Sequence, residues 1–217
     1  MKRRQTGTRN FHILLSLQVS FIPLLSFLAM AYSSTQIDKI GNLLVYITDK
    51  LGVTSKTKLL KLVYIIEEEY IKKAGVPLTP LSFTHLPMGP VSTFINKQIS
   101  KNRAPLNQYI DVEPVGNQCW IKPKIQFADD EFSEFDIEII NGVLNDFGHL
   151  NAVDLSNYTH REGSIWKKMQ DQFGGTPPAG QNTFDMSLLL EDQEVNPMLR
   201  DSALEHKAFV NYLTGEE

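Results

Sequence analysis

The sequence predicts a mainly α-helical domain with a small antiparallel β-hairpin or sheet, an α+β fold. From Tyr32 to the C-terminus, most segments repeat apolar residues at the spacing of one helix face. Residues 109–127 differ, because short β-favouring pieces flank Gly116-Asn117, a pair suited to a tight hairpin turn. With 217 residues, of which 42% are hydrophobic, the chain can form one domain with its own core.

The first predicted helix begins after Ser33 and ends at Gly52. Ser33 and Gln36 have the spacing of a capping box, in which each side chain binds the other residue's backbone N–H. Gly52 favours the left-handed conformation that ends a helix. The apolar positions on one face are Ile37, Ile40, Leu44, Ile47 and Leu51.

The segment before this helix, residues 1–29, has two interpretations. It carries four basic residues and no acid, and its apolar run ends near Ala29-Met30-Ala31, as in a secretory signal. Alternatively, Met30 is the initiator and residues 1–29 are a non-native upstream extension, because the capped helix begins directly afterwards. We expect the mature chain to start at Met30 or Ala31, which favours a cytoplasmic protein, with export as the alternative. Gln18 and Pro23 interrupt the run, so no stable membrane association is expected.

The second predicted helix, in "KTKLLKLVYIIEEEYIKKAG", has an unusually wide apolar face, which is typical of a central helix packed on two sides. We expect Glu67-Glu68-Glu69 to form a solvated face, because consecutive helical residues point in different directions and cannot converge on a metal. A third helix is predicted with Pro90 at its first position. Its inward positions are Val91, Phe94, Ile95 and Ile99.

Helical spacing returns after the predicted hairpin, which Pro114 and Pro123 should keep at a sheet edge. Three helices are expected, in "SEFDIEIINGVLNDFG", in "NAVDLSNYTH" and from "SIWKKM". We therefore expect a helical domain over residues 30–172. Residues 173–217 should be a loop and a helical tail, broken near Pro197, that packs on or extends the same domain.

Composition and motifs argue against most enzyme classes. Removing the four basic residues of the first 29 from the net charge of −4 leaves the body of the chain at −8, which makes nucleic acid an unfavoured partner. Cys119 is the single cysteine, and no zinc-site or nucleotide-binding spacing is present. We expect no catalytic residues, no metal ligands and no cofactor.

Three ordered motifs carry a resemblance to a known family. A K-L-x-Y helix contains Lys61, Leu62 and Tyr64, and a turn contains Gly89, Pro90 and Val91. A later short helix ends in Thr159-His160, with Trp166 following. Over about residues 32–169, this pattern resembles the Panacea domain, a bacterial and phage-associated family linked to antitoxins. Many members have proline directly before the tryptophan, whereas this chain has Ile165.

The resemblance implies an intracellular antitoxin of a toxin–antitoxin system. Such a protein neutralises a cognate protein toxin, by direct binding or as an adaptor that presents it to an AAA+ protease. The eight motif residues are then expected to be structural or to contact the partner. The alternative function is a DNA-binding transcriptional regulator, because the first two helices and Lys56, Lys58 and Lys61 resemble a helix-turn-helix pair.

Overall fold

The computed structural model describes residues 32–193 and 195–215, and the chain from Ser34 onward forms one compact unit. Within the described residues the fold is mainly helical with small antiparallel sheets, which confirms the predicted class. Two 3₁₀-helices cover Leu106–Gln108 and Met186–Glu191. The seven α-helices of this part are α1 Ser34–Leu51, α2 Lys56–Ala74, α3 Thr93–Lys101, α4 Glu134–Phe147, α5 Ala152–Thr159, α6 Ile165–Phe173 and α7 Pro197–Thr214.

The strands are short and form two antiparallel sheets. They are β1 Thr54–Ser55, β2 Phe83–Thr84, β3 Val91–Ser92, β4 Ile110–Val115 and β5 Gln118–Pro123. One sheet has the order β1-β5-β4, and β2 pairs with β3 in the other. Val115 lies opposite Gln118, so Gly116-Asn117 is the two-residue turn of the hairpin, as predicted. Gly116 has φ +59°, a value that glycine adopts without strain.

Helix α2 is the central element of the fold. It packs against α1, α4, α5, both small sheets and the second 3₁₀-helix. Its start is capped by Ser55, whose hydroxyl accepts from the Lys58 N–H, and Gly75 with φ +75° ends it. The wide apolar face predicted a central helix, and the structure agrees because every residue from Leu59 to Glu68 is buried.

The acidic trio on α2 contradicts its predicted solvated position. Glu67 and Glu68 are each only 1% exposed. The Glu67 carboxylate accepts hydrogen bonds from the backbone N–H groups of Leu78 and Thr79, both at 3.0 Å, and from the Thr79 hydroxyl. Burial raises the pKa of Glu67 to about 7, although these donors oppose the shift. This carboxyl therefore holds the chain that leaves α2 rather than facing water.

Two prolines occupy positions other than those expected. Pro90 does not start α3, because Val91–Ser92 pair with Phe83–Thr84 and the helix begins only at Thr93. Pro123 ends β5, which is the central strand of its sheet rather than an edge. Proline is tolerated there because β1 pairs with β5 only at Trp120 and Ile121. In the tail, Pro197 begins α7 at the first helical turn.

Helix α1 begins at Ser34, as the cap at Ser33 predicted. The expected start at Met30 and the signal-like segment fall on residues 1–31, outside the described residues. In the part of the chain that the structure describes, no helix combines the length and apolar character needed to cross a bilayer.

Candidate functional site

The three sequence motifs meet at one place in the interior. Lys61 comes from α2, Gly89 and Pro90 from the turn before β3, His160 from the end of α5, and Trp166 from α6. We call these five residues the motif cluster. Gly89 lies at its centre with φ +99°. A β-carbon at this position would collide with Lys61 Nζ and would lie 2.8 Å from His160 Nε2 and from Thr159 Oγ1. Only glycine therefore allows the three segments to approach so closely.

Two histidine rings stack on Trp166. The His160 ring stacks on the indole at a centroid distance of 3.7 Å, and the His85 ring stacks at 4.7 Å. The indole N–H donates to the Leu86 carbonyl oxygen at 2.9 Å, which provides the partner that a buried tryptophan needs. Trp166 is 6% exposed. It therefore joins α6 to the turn that follows β2.

His160 meets the rest of the motif cluster through its imidazole ring. Among the described residues its Nε2 has no hydrogen-bond partner, and the same is true of both ring nitrogens of His85. Burial lowers the pKa of His160, and the neighbouring Lys61 and His85 lower it further. Burial also lowers the pKa of His85. The two rings contribute by stacking as neutral groups.

Lys61 is the most unusual member of the motif cluster, because its side chain is fully enclosed. The residue is 1% exposed, and its ammonium group donates to the Pro90 carbonyl oxygen at 3.1 Å. Burial lowers the pKa of Lys61 to about 7, since a charged amine loses its hydration there. The single hydrogen bond ties α2 to the Gly89-Pro90 turn.

The remaining motif residues belong to the apolar core. Leu62 and Tyr64 are completely buried, and Val91 is nearly so. The Tyr64 ring meets Phe83 edge to face at 5.3 Å. Burial raises the pKa of Tyr64, and the nearby Glu68 carboxylate raises it further. The motif therefore combines core side chains with one polar cluster.

Ile165 lies at the first position of α6, where many members of the resembled family carry proline. Proline is common at this position because the N–H of the first helical residue needs no partner within the helix. Here the Ser164 hydroxyl caps the helix by accepting from the Lys167 N–H at 3.1 Å. The start of α6 therefore does not depend on proline.

A polar cleft lies beside the motif cluster, between α2, the turn from α5 to α6 and the second 3₁₀-helix. It has a volume of about 550 Å³, and we call it the Glu68 cleft. Glu68 Oε1 forms ion pairs with Arg161 and, at 3.5 Å, with Lys72. Lys72 also lies 3.0 Å from the Asp192 carboxylate. The Arg161 guanidinium stacks over the Tyr158 ring at 4.0 Å from its centroid.

The lysines that suggested a helix-turn-helix are engaged with the protein itself. Lys61 is enclosed, the Lys58 ammonium donates to the Gly148 carbonyl oxygen, and the Lys56 ammonium donates to the Ser100 hydroxyl. A recognition helix must expose one face to the DNA groove, whereas α2 is buried along most of its length. This geometry does not favour a DNA-binding role for α2.

Across residues 32–193 and 195–215, no three histidine, cysteine or acidic side chains could hold a metal ion together.

Three residues of these sites, His85, Glu68 and Arg161, were not predicted from the sequence to belong to a site. His85 gave no signal, because nothing in its neighbourhood predicts stacking on a tryptophan far along the chain. Glu68 was predicted to face solvent as part of the acidic trio, although it follows Tyr64, a residue of the wide apolar face, by four residues. Arg161 directly follows His160, and its pairing with Glu68 required knowledge of how α2 and α5 pack.

The family model described as "Antitoxin SocA-like, Panacea domain" matches residues 59–167. No curated protein and no solved structure matches the chain. The matched range begins in α2 and ends one residue after Trp166, so it contains every residue of the motif cluster. The matched range does not include α1, whereas the resemblance seen in the sequence extended over about residues 32–169 and so included this helix. Because the match covers half of the chain and includes all three motifs, the chain belongs to the family of antitoxin SocA-like Panacea domains.

Proposed function

We propose that this protein is an antitoxin that binds a cognate protein toxin and neutralises it without catalytic turnover. The family match is the observation that carries the proposal. The motif cluster supports it, because its side chains are buried and engaged in packing, which suits a scaffold that presents a binding surface. Family membership alone does not fix the partner, so the toxin must be identified by experiment.

Neutralisation has two routes in this proposal. In the first, the antitoxin covers the toxin's active surface. In the second, it delivers the toxin to an AAA+ protease of the bacterial cytoplasm. The net charge of −8 outside the first 29 residues favours a basic partner in either case, because complementary charge speeds and orients association.

The test is a growth assay with the protein encoded beside this gene as the candidate toxin. Cells that express the toxin should survive when residues 30–217 are co-expressed, and the two proteins should co-purify. Asp111→Asn offers a control variant, because this residue lies on the hairpin at a partly exposed position and should leave rescue unchanged. If cells die equally with and without this chain, while the purified chain binds its own promoter DNA at physiological salt, the regulator hypothesis replaces the antitoxin.

The toxin's half-life separates the two routes. Direct covering leaves the toxin level unchanged during rescue, whereas delivery to a protease shortens the half-life and fails in cells that lack that protease. We expect the first result if the purified pair remains stable and inactive without any protease.

A further inference from the structure

Helix α7 exposes more large apolar residues than any other helix of the described chain. None of its described side chains is buried. Helices α4, α5 and α6 expose one large apolar residue each, whereas α7 exposes six. Single exposed apolar residues are ordinary, but a group of them on one element marks an interaction surface. The six are Met198, Leu204, Phe209, Val210, Tyr212 and Leu213.

Four of these residues lie along one side of the helix and form what we call the α7 ridge. Phe209 follows Met198 by eleven residues, which is about three helical turns, and Tyr212 and Leu213 follow one turn later. Met198 and Tyr212 are 83% and 84% exposed. Leu213 also follows Val210 by three positions, so the two side chains are neighbours on the helix surface. The ridge therefore borders the face on which Val210 lies.

A groove lies on that face, between α7 and the end of α2, and we call it the α7 groove. It has a volume of about 440 Å³, and Ala203 and Val210 line its α7 side. The opposite side is mainly apolar and includes Ile71, Val76, Pro77, Met186 and Leu190. One patch of the surface thus has a raised apolar part and a recessed apolar part. A two-fold dimer needs both, because its interface places a patch against an identical patch.

The charge of α7 permits two copies to meet there. Arg200 and Lys207 balance Asp201 and Glu205 within this helix, whereas the chain from residue 30 onward has a net charge of −8. Two molecules of like net charge repel each other, and the repulsion is smallest where a neutral face approaches a neutral face.

The exposed area of the ridge is sufficient for a reversible dimer. Because an aromatic side chain offers about 150 to 250 Å² of surface, the four ridge residues present roughly 500 to 600 Å² in each copy. Two copies that cover each other's ridge then bury roughly 1,000 to 1,200 Å², which is the lower limit for a specific interface.

We propose that two copies of this chain associate through α7, with the ridge of each copy in the groove of the other. The inference goes beyond the proposed function and does not depend on it. The surface also lies outside residues 59–167, so it is an addition to the part of the chain that matches the Panacea domain. An interface of this size should have a dissociation constant in the micromolar range.

The test is analytical ultracentrifugation of the whole chain from low to several hundred micromolar concentrations. We expect the average mass to rise from that of one chain towards that of two. Phe209→Ser/Tyr212→Ser should associate at least about tenfold more weakly with an unchanged thermal melt, because both residues are exposed. The matched control is Val53→Ser/Val153→Ser, which removes two exposed apolar side chains outside α7 and its groove. A monomer at every concentration, or equal association of the two double variants, would refute the proposal.

A third variant, Val76→Asn, tests the groove. It makes one wall of the groove polar without changing the charge, and Val76 is exposed, so the fold should persist. We expect this variant to associate more weakly than the native protein. Unchanged association would show that the ridge does not enter the groove and would overturn the proposed interface.

The toxin encoded beside the gene provides the last comparison. If the native chain stays monomeric and Phe209→Ser/Tyr212→Ser loses toxin binding, α7 is a toxin-binding surface, and the dimer is wrong while the antitoxin function stands. If the native chain forms the dimer but binds no toxin, the proposed function fails and the dimer stands.

Discussion

The buried amine of Lys61 should make the stability of this protein rise with pH in the alkaline range. In the unfolded chain a lysine titrates near 10.5, whereas burial lowers the pKa of Lys61 to about 7 in the folded protein. Between these two values the unfolded state binds a proton that the folded state does not bind. The free energy of unfolding therefore increases with pH over this window. Below pH 7 both states are protonated, and the destabilising effect of the buried charge is fully present.

The size of the effect follows from the difference between the two pKa values. One pH unit within the window corresponds to about 1.4 kcal/mol for one proton. From pH 7.5 to 9.5 we therefore expect the free energy of unfolding to rise by roughly 2 to 3 kcal/mol. The comparison ends at pH 9.5 because tyrosines begin to affect the stability above this pH. Burial and the hydrogen bond to Asp38 raise the pKa of Tyr109 to about 12, whereas tyrosines of the unfolded chain ionise near pH 10. The free energy of unfolding therefore decreases as the unfolded tyrosines lose their protons.

The assay is urea unfolding at several pH values for the native protein and for Lys61→Met. Methionine retains an unbranched side chain but removes the charge, and it leaves the Pro90 carbonyl oxygen without its donor, a cost of about 1 to 3 kcal/mol that does not depend on pH. We expect the rise between pH 7.5 and 9.5 to disappear in this variant. Lys97→Met, which removes an exposed lysine of α3, should keep the full rise. Parallel pH profiles for the native protein and Lys61→Met would refute the reasoning.

Three further substitutions and one control substitution test the interior. Trp166→Ala should lower stability by roughly 3 to 5 kcal/mol, because the indole is buried and two rings stack on it, and an unchanged melt with lost neutralisation would instead make Trp166 a contact residue. Gly89→Ala should cost more than about 1 kcal/mol in chemical denaturation, because of its positive φ and the crowding by Lys61. Gly142→Ala in α4, where a β-carbon meets open space, should be neutral or stabilising by comparison. Glu67→Gln should flatten the fall in stability between pH 5 and 7. With its pKa raised to about 7, the folded protein binds a proton in this range that the unfolded chain has lost, so the free energy of unfolding decreases as pH rises. A profile as steep as that of the native protein would contradict this.

The helices and the hairpin could be predicted from the sequence because each depends on a local pattern. The apolar spacing of α1, α2 and α4 and the Gly116-Asn117 turn are all properties of neighbouring residues. The pairing of β1 with β5 and of β2 with β3 could not be predicted, because a two-residue strand is too short to show alternation. For the same reason the start of α3 was placed at Pro90 rather than at Thr93.

The buried carboxylates show a different limit of sequence interpretation. A run of three glutamates predicts a solvated surface, because a charged side chain is rarely buried without partners. The partners of Glu67 lie 11 and 12 residues later at Leu78 and Thr79, and Arg161, the partner of Glu68, lies 93 residues later. Because these partners lie so far along the chain, the residues around the three glutamates contain no pattern that predicts the burial. The motif residues were found because of the family resemblance, whereas their meeting point required the packed fold.

The turn from α5 to α6 couples the motif cluster to the Glu68 cleft. His160 stacks on Trp166 in the cluster, and the next two residues, Arg161 and Glu162, line the cleft. On α2, Lys61 and Glu68 are seven residues apart and therefore lie on nearly the same face, two turns from each other. We therefore expect a substitution that loosens the cluster to displace the walls of the cleft as well. Loss of toxin neutralisation in a variant such as Trp166→Ala therefore identifies a contact residue only if the melt is unchanged.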